Sequence, residues 1–258
     1  MSNLFASPHC TLLRAQHHIH DLNAKINEFV NTKPWSHAVE KDIDGIHDLH
    51  KIKFARRLSP DLPNILFDAA NNLRSVLDQA GYAAAKASGN TRLKATKFPF
   101  GPTEKAWRDN LAGGCKDLPP EIRTFFASFK SYKGGNNTLW ALNELCNTSK
   151  HLSLVPIGIT RQFMTWGRAT ISRTIPKTLP KAYGITWNRE KYEITFDRTA
   201  PGEIVQFNHQ TDFTITVAIE GIQGVASQPV VGVADQMMRM VDGILNDTRA
   251  LCRQLGFV

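Results

Sequence analysis

What the sequence lacks narrows it first. No run of apolar residues is long enough to cross a bilayer, which excludes a helical membrane span. The opening stretch MSNLFASPHCTLLRAQHH has no apolar core of the kind a secretory signal needs, so a cytoplasmic location is expected. Only four cysteines occur (Cys10, Cys115, Cys146, Cys252), and none forms a CxxC pair. Reduced thiols are therefore expected, not a disulfide framework or a thiolate metal site. There is no GxGxxG, no phosphate-binding loop, no GxSxG and no HExxH, so no cofactor and no metal is expected. Without a secretory signal, the Asn-x-Ser/Thr triplets at Asn136, Asn147 and Asn246 are chance matches.

Acidic residues are the other scarcity. The chain of 258 residues carries 31 Lys and Arg against 23 Asp and Glu, a net charge of +8. No acid lies between Glu144 and Glu190, where Lys150, Arg161, Arg168, Arg173, Lys177, Lys181 and Arg189 are interleaved with Phe163, Trp166, Tyr183 and Trp187. A second acid-free window follows Asp78 and holds Lys86, Arg92, Lys94 and Lys97. Cations neutralise phosphates and aromatics stack on bases, so such windows suit an RNA or other polyanion. The plainer reading makes the cations solvated loops and the aromatics core residues of strands.

At 42% hydrophobic and 21% charged residues, the composition is that of a folded globular chain. Apolar residues at steps of three and four predict helices over 11–31, 63–88 and 229–255, with shorter ones near 104–112, 119–131 and 137–151. Alternation predicts strands near 46–58, 153–160, 162–175, 184–188, 191–197 and 211–220. Helices gather in the first part of the chain and strands in the second, before a last long helix. The expectation is an α+β fold in a single domain over 1–258, with a helical half packed against a mainly antiparallel sheet. The stretch AGYAAAKA at 80–87 is nearly all small residues, so another helix is expected to approach closely there and to support a homodimer.

Two helices carry polar stripes. On 63–88, Asn71, Arg74, Ser75, Asp78 and Tyr82 recur at steps of three and four, and Arg74 and Asp78 are spaced to pair. On 137–151, Asn143, Asn147 and His151 do the same, with Lys150 beside them. If the stripes face each other, Arg74, Asp78 and His151 become candidate catalytic groups. Asn71, Tyr82, Asn143, Asn147, Lys150, Arg161, Arg168 and Arg173 become candidate binding groups. A histidine near a fixed cation suits general acid–base work. The alternative is a buried hydrogen-bond network that sets helix register, in which Arg74 pairs with Asp78. The histidines at 17, 18, 20, 47 and 50 are read as solvated faces.

NLRSVLDQAGY at 72–82, FPF at 98–100, SYKGGN at 131–136 and LWALNELCNTSKH at 139–151 resemble a family of uncharacterised bacterial proteins. That family carries LRSxLDQ or LRSxLDH, FP, PYxGG and LWxLNxLxNxxKH. The resemblance covers about residues 60–160 and implies relatives, not a reaction. A looser likeness is to HEPN-type ribonucleases, whose helical Arg-x4-His pattern implies Arg74 on a scissile phosphate and a dimeric active site. Gln79 stands at the histidine position here, and glutamine exchanges no proton near neutral pH. Three functions follow as expectations. The leading one is a nucleic-acid-binding protein, with an RNase-like defence effector as its sharpest form. The second is a non-enzymatic binding or assembly module, and the third a hydrolase of a small anionic substrate.

Overall fold

The computed structural model describes residues 4–147, 153–158, 186–200, 215–220, 222, 224–226 and 228–258. The architecture is α+β. Helix α1 spans Ala6–Asn31, and the β1–β2 hairpin follows at Trp35–Lys41 and Asp48–Phe54. Four helices come next: α2 (Leu62–Ala87), α3 (Glu104–Gly113), α4 (Pro120–Ser128) and α5 (Asn137–Asn147). Strands β3 (Ser153–Gly158), β4 (Thr186–Asn188), β5 (Glu193–Thr199) and β6 (Ile215–Glu220) precede the final helix α6 (Val230–Gln254). The strand expected over 162–175 lies outside the described residues, as does the end of α5 beyond Asn147.

The chain divides into two compact units, each assembled from separated stretches. The larger holds residues 1–25, 60–154 and 219–258, and the smaller holds 26–59 and 155–218.

In the larger unit, α2 packs against α5 and α6. Pro63 sits in the first turn of α2, where its missing N–H costs nothing. Gly89 ends that helix with φ +78°, a conformation that a Cβ would strain. The buried stripe of α2 includes Leu66, Leu73, Val76, Leu77 and Ala84. Leu139, Leu142 and Leu145 on α5 and Met237, Val241 and Ile244 on α6 are buried as well. Burying each Leu or Ile is worth about 1.5–3 kcal/mol. Met237 is thus core filling.

The small-residue stretch of α2 admits a non-helical segment. A Cβ on Gly81 would lie 2.1 Å from the carbonyl oxygen of Thr96. Glycine is required there because the backbone of the 95–100 run, which is neither helix nor strand, lies directly against the helix. That run is pinned from outside. Lys97 N–H donates to Gly114 O, Asp117 N–H to Ala95 O, and Gly101 N–H to Ser131 O. Phe98 then packs, with tilted rings, among Phe100, Phe126 and Phe129.

The smaller unit is built on a four-stranded antiparallel sheet in the order β1-β2-β5-β4. One face carries Ile52, Phe54 and Ile194, which join Phe29 in an apolar cluster with Trp35, Trp187 and Tyr192 packed against it. Trp187 is therefore a packing residue. The other face is polar: Lys51, only 6% exposed, donates to Glu40 at 2.6 Å and to Glu193 at 2.9 Å. Strands β3 and β6 form a separate two-stranded ladder.

His50 corrects the reading of the histidines as solvated. It lies on an interior strand and is buried, stacked on His37 and within 3.2 Å of Thr199 Oγ1. His47 pairs with Asp44 at 2.6 Å. Among the described residues, no helix is long and apolar enough to cross a membrane.

Candidate functional site

The site is confined to the larger unit and starts from α2. Arg74 and Asp78 are four residues apart, so they project from one side of the helix. They do not bind each other. Arg74 donates from Nη1 to Asn147 Oδ1 at 3.3 Å, and its guanidinium lies over the Phe100 ring, 5.4 Å from the centroid. Asp78 accepts the backbone N–H of Phe98 through Oδ1 at 2.9 Å. The helix thus holds one charge toward α5 and the other toward the 95–100 run.

A cavity of about 230 Å³ opens between them, lined by Arg74, Asp78, Lys97, Phe98, Phe100, Asn110, Gly114 and Cys115. Each wall has a local cause. The 95–100 run supplies Lys97 and both phenylalanines because its backbone is bonded to Gly114 and Ser131. Asn110, near the end of α3, donates from Nδ2 to Phe100 O at 2.7 Å and so leaves its Oδ1 as an acceptor. Cys115 is fully buried and donates from Sγ to Lys97 O at 3.0 Å.

The electrostatics follow from the burial. Loss of solvent pushes the Asp78 carboxyl above its ordinary range, and the Phe98 N–H, Arg74 and Lys97 pull it partly back. Burial raises the Cys115 thiol to about 12, helped by the Asp78 charge. It raises Cys146 to about 11, with Arg74 working the other way. Neither thiol ionises near neutral pH, so neither is a nucleophile there.

The two polar stripes therefore meet through Arg74 and Asn147. Lys150, His151, Arg161, Arg168 and Arg173 lie outside the described residues. Asn143 is 4% exposed, and its Oδ1 has no partner among the described residues. Asn71 and Tyr82 are exposed and do not line the cavity.

Gln79, at the histidine position of the ribonuclease-like pattern, points elsewhere. It accepts from Ser7 at 2.9 Å and donates to Ser75 at 2.9 Å and to Thr11 at 3.2 Å. It ties α1 to α2 and does not line the cavity.

Sequence reasoning missed Phe98, Phe100, Asn110, Gly114 and Cys115 as lining groups, and read Lys97 only as part of a basic window. The signal was the grouping of motifs. Arg74 and Asp78 come from the first quoted segment, Phe98 and Phe100 from the second, and Asn147 from the fourth. Ser131, from the third, holds Gly101 in place. Comparison with protein families, with curated proteins and with solved structures finds no match.

Proposed function

We propose that the Arg74–Asp78 cavity binds a small organic anion. The observation that carries this reading is the failure of Arg74 to pair with Asp78. A register-setting network would close the two charges on each other, whereas here both face a space that a ligand can enter. Arg74 keeps most of its five donors after the bond to Asn147, and Lys97 adds a second cation. At about 230 Å³ the cavity is below the range of about 300–1,000 Å³ typical of drug-sized ligands, so the guest is small.

The test is thermal unfolding of the whole chain with a panel of small carboxylates and phosphate esters. A ligand at one hundred times its Kd stabilises by about 2.7 kcal/mol, a readily measured shift in Tm. Arg74→Gln removes the shift. A panel that leaves Tm unchanged overturns the reading.

A second reading has its own support. Lys86, Arg92, Lys94 and Lys97 are all exposed, and no hydrogen bond or ion pair engages their side chains among the described residues. Such a row suits a polyanion such as RNA. If all four meet phosphates, the affinity falls with salt with a log–log slope of about −3 to −4. Binding that ignores salt contradicts it. Four cysteines that form no disulfide fit a reducing, cytoplasmic setting.

A further inference from the structure

Resting on the small-anion reading, we propose that the ligand is a zwitterion of the α-amino acid class, its carboxylate on Arg74 and its ammonium on Asp78. The cavity is two-signed. Arg74 and Lys97 line it as cationic donors, and Asp78 lines it as an acceptor. Asp78 has Oδ1 committed to the Phe98 N–H, which leaves Oδ2 for a ligand donor. Asn110 gives one amide N–H to Phe100 O, which leaves its Oδ1 as an acceptor and its second N–H as a donor. Asp78 Oδ2 therefore carries the match to an ammonium, which brings three N–H groups and accepts nothing.

A bare carboxylate or phosphate entering this space gains Arg74 and Lys97 but also meets Asp78, whose carboxyl forms no ion pair among the described residues. A zwitterion meets both charges with the matching sign. Position i and i+4 groups on a helix start about 5–6 Å apart, so a ligand with opposite charges on neighbouring atoms spans the gap that a direct ion pair would close. Size bounds the side chain. A cavity of about 230 Å³ lies below the range of about 300–1,000 Å³ for drug-sized ligands and so admits only a short side chain. Phe98 and Phe100 offer that side chain apolar walls.

The proposal predicts a sign. The groups facing Asp78 are Arg74 on α2, Lys97 and the Phe98 N–H on the 95–100 run, the un-ionised thiol of Cys115, and Cys146 on α5. Burial favours the protonated carboxyl, and an arriving ammonium favours the ionised one. Amino-acid uptake therefore expels a proton, and affinity rises with pH through the titration of Asp78. A bare anion draws a proton in, and its affinity falls over the same range.

Calorimetric titration of the whole chain at low salt tests this with L-alanine, L-valine and L-leucine. Each is compared with the acid lacking the amino group, 3-methylbutanoate in the case of valine. The expected result is that the fitting amino acid binds about tenfold or more tighter than its deaminated partner, because that partner leaves Asp78 unmet. Asp78→Asn keeps the acceptor for Phe98 N–H and so keeps the fold, but brings the two ligands to similar affinity. Arg74→Gln weakens both. Equal or tighter binding of the deaminated acid overturns the zwitterion proposal and leaves the anion reading standing. An amino-acid preference that survives in Asp78→Asn overturns it also. Absence of binding by every member of both sets overturns the proposal and, for carboxylates, the reading beneath it.

Discussion

Arg74 and Asp78 stand one turn apart on α2 and bind different partners, Asn147 on one side and the backbone of Phe98 on the other. The helix spacing alone favours an ion pair between them. The tertiary structure separates them because the 95–100 run offers Asp78 a fixed N–H, while α5 and the Phe100 ring draw the guanidinium away. A cavity remains where the ion pair would have been.

The Asp78 carboxylate has a structural duty that can be separated from its charge. Asp78→Ala leaves the buried Phe98 N–H without an acceptor and is expected to cost about 1–3 kcal/mol. Asp78→Asn keeps an acceptor and removes a charge that burial disfavours. The folded protein holds the Asp78 proton more tightly than the unfolded chain does. Its contribution is therefore full at acid pH and is lost as pH rises through the folded titration. Stability curves of wild type and Asp78→Asn diverge in favour of Asn as pH rises above the ordinary aspartate value of 3.8. Denaturant unfolding at each pH measures this, and parallel curves contradict it.

Two glycines make opposite predictions from the same substitution. Gly81→Ala places a Cβ 2.1 Å from the Thr96 carbonyl oxygen, a backbone atom that cannot swing aside. The loss is expected to be about 1–3 kcal/mol, and the displaced run carries the cavity wall with it. Gly243 on α6 has no atom within 4 Å of such a Cβ. Gly243→Ala is expected to gain about 0.5–1 kcal/mol from helix propensity. Calorimetric melting of both variants decides the pair.

Thiol chemistry reports on burial near the cavity. Cys10 is exposed, while burial holds Cys115 at about 12 and Cys146 and Cys252 each at about 11. A disulfide reagent at pH 8 is expected to modify Cys10 quickly and the other three only as the chain unfolds. Peptide mapping after brief labelling shows which sites react. Rapid modification of Cys115 in the folded protein contradicts the closed wall.

The smaller unit carries its own electrostatic test. Lys51 is buried between Glu40 and Glu193, so Lys51→Met strands the Glu193 carboxylate at 4% exposure. The expected loss is about 3–5 kcal/mol. Lys51 and Lys53 hold Glu40 down at about 2, against an ordinary value of 4.5. That stabilisation is present above pH 4.5 and is lost as pH falls toward 2. Acid unfolding of the wild type followed by Trp35 and Trp187 fluorescence measures it.

The fold was largely legible where period alone sets structure. The α2 stripe from Ile65 to Ala84 and the α6 stripe from Val233 to Thr248 announce themselves at steps of three and four. The start of α1 was placed late because Pro8 interrupts the pattern, although a first-turn proline leaves a helix intact. β1 was missed because its half-exposed pattern at Trp35–Lys41 leaves little apolar contrast. Of the site, the line from Arg74 to Asp78 and Asn147 was visible. Lys97, Phe98, Phe100, Asn110 and Cys115 were not, because they reach the cavity by backbone bonds between residues far apart in sequence. Short-range spacing does not encode bonds such as Lys97 to Gly114 or Gly101 to Ser131. Likewise, nothing local to Lys51 foretells Glu193.

The most direct test of the cavity is to watch Arg74 itself. Its side-chain Nε–H resonance, assigned by comparison with Arg74→Gln, is followed by nuclear magnetic resonance as L-valine and, separately, the small anions are added to the whole chain at low salt. The account predicts a saturable shift of that resonance together with the amides of Phe98 and Phe100, with the same Kd for all three. A ligand that raises Tm while leaving these resonances unmoved binds elsewhere and contradicts it.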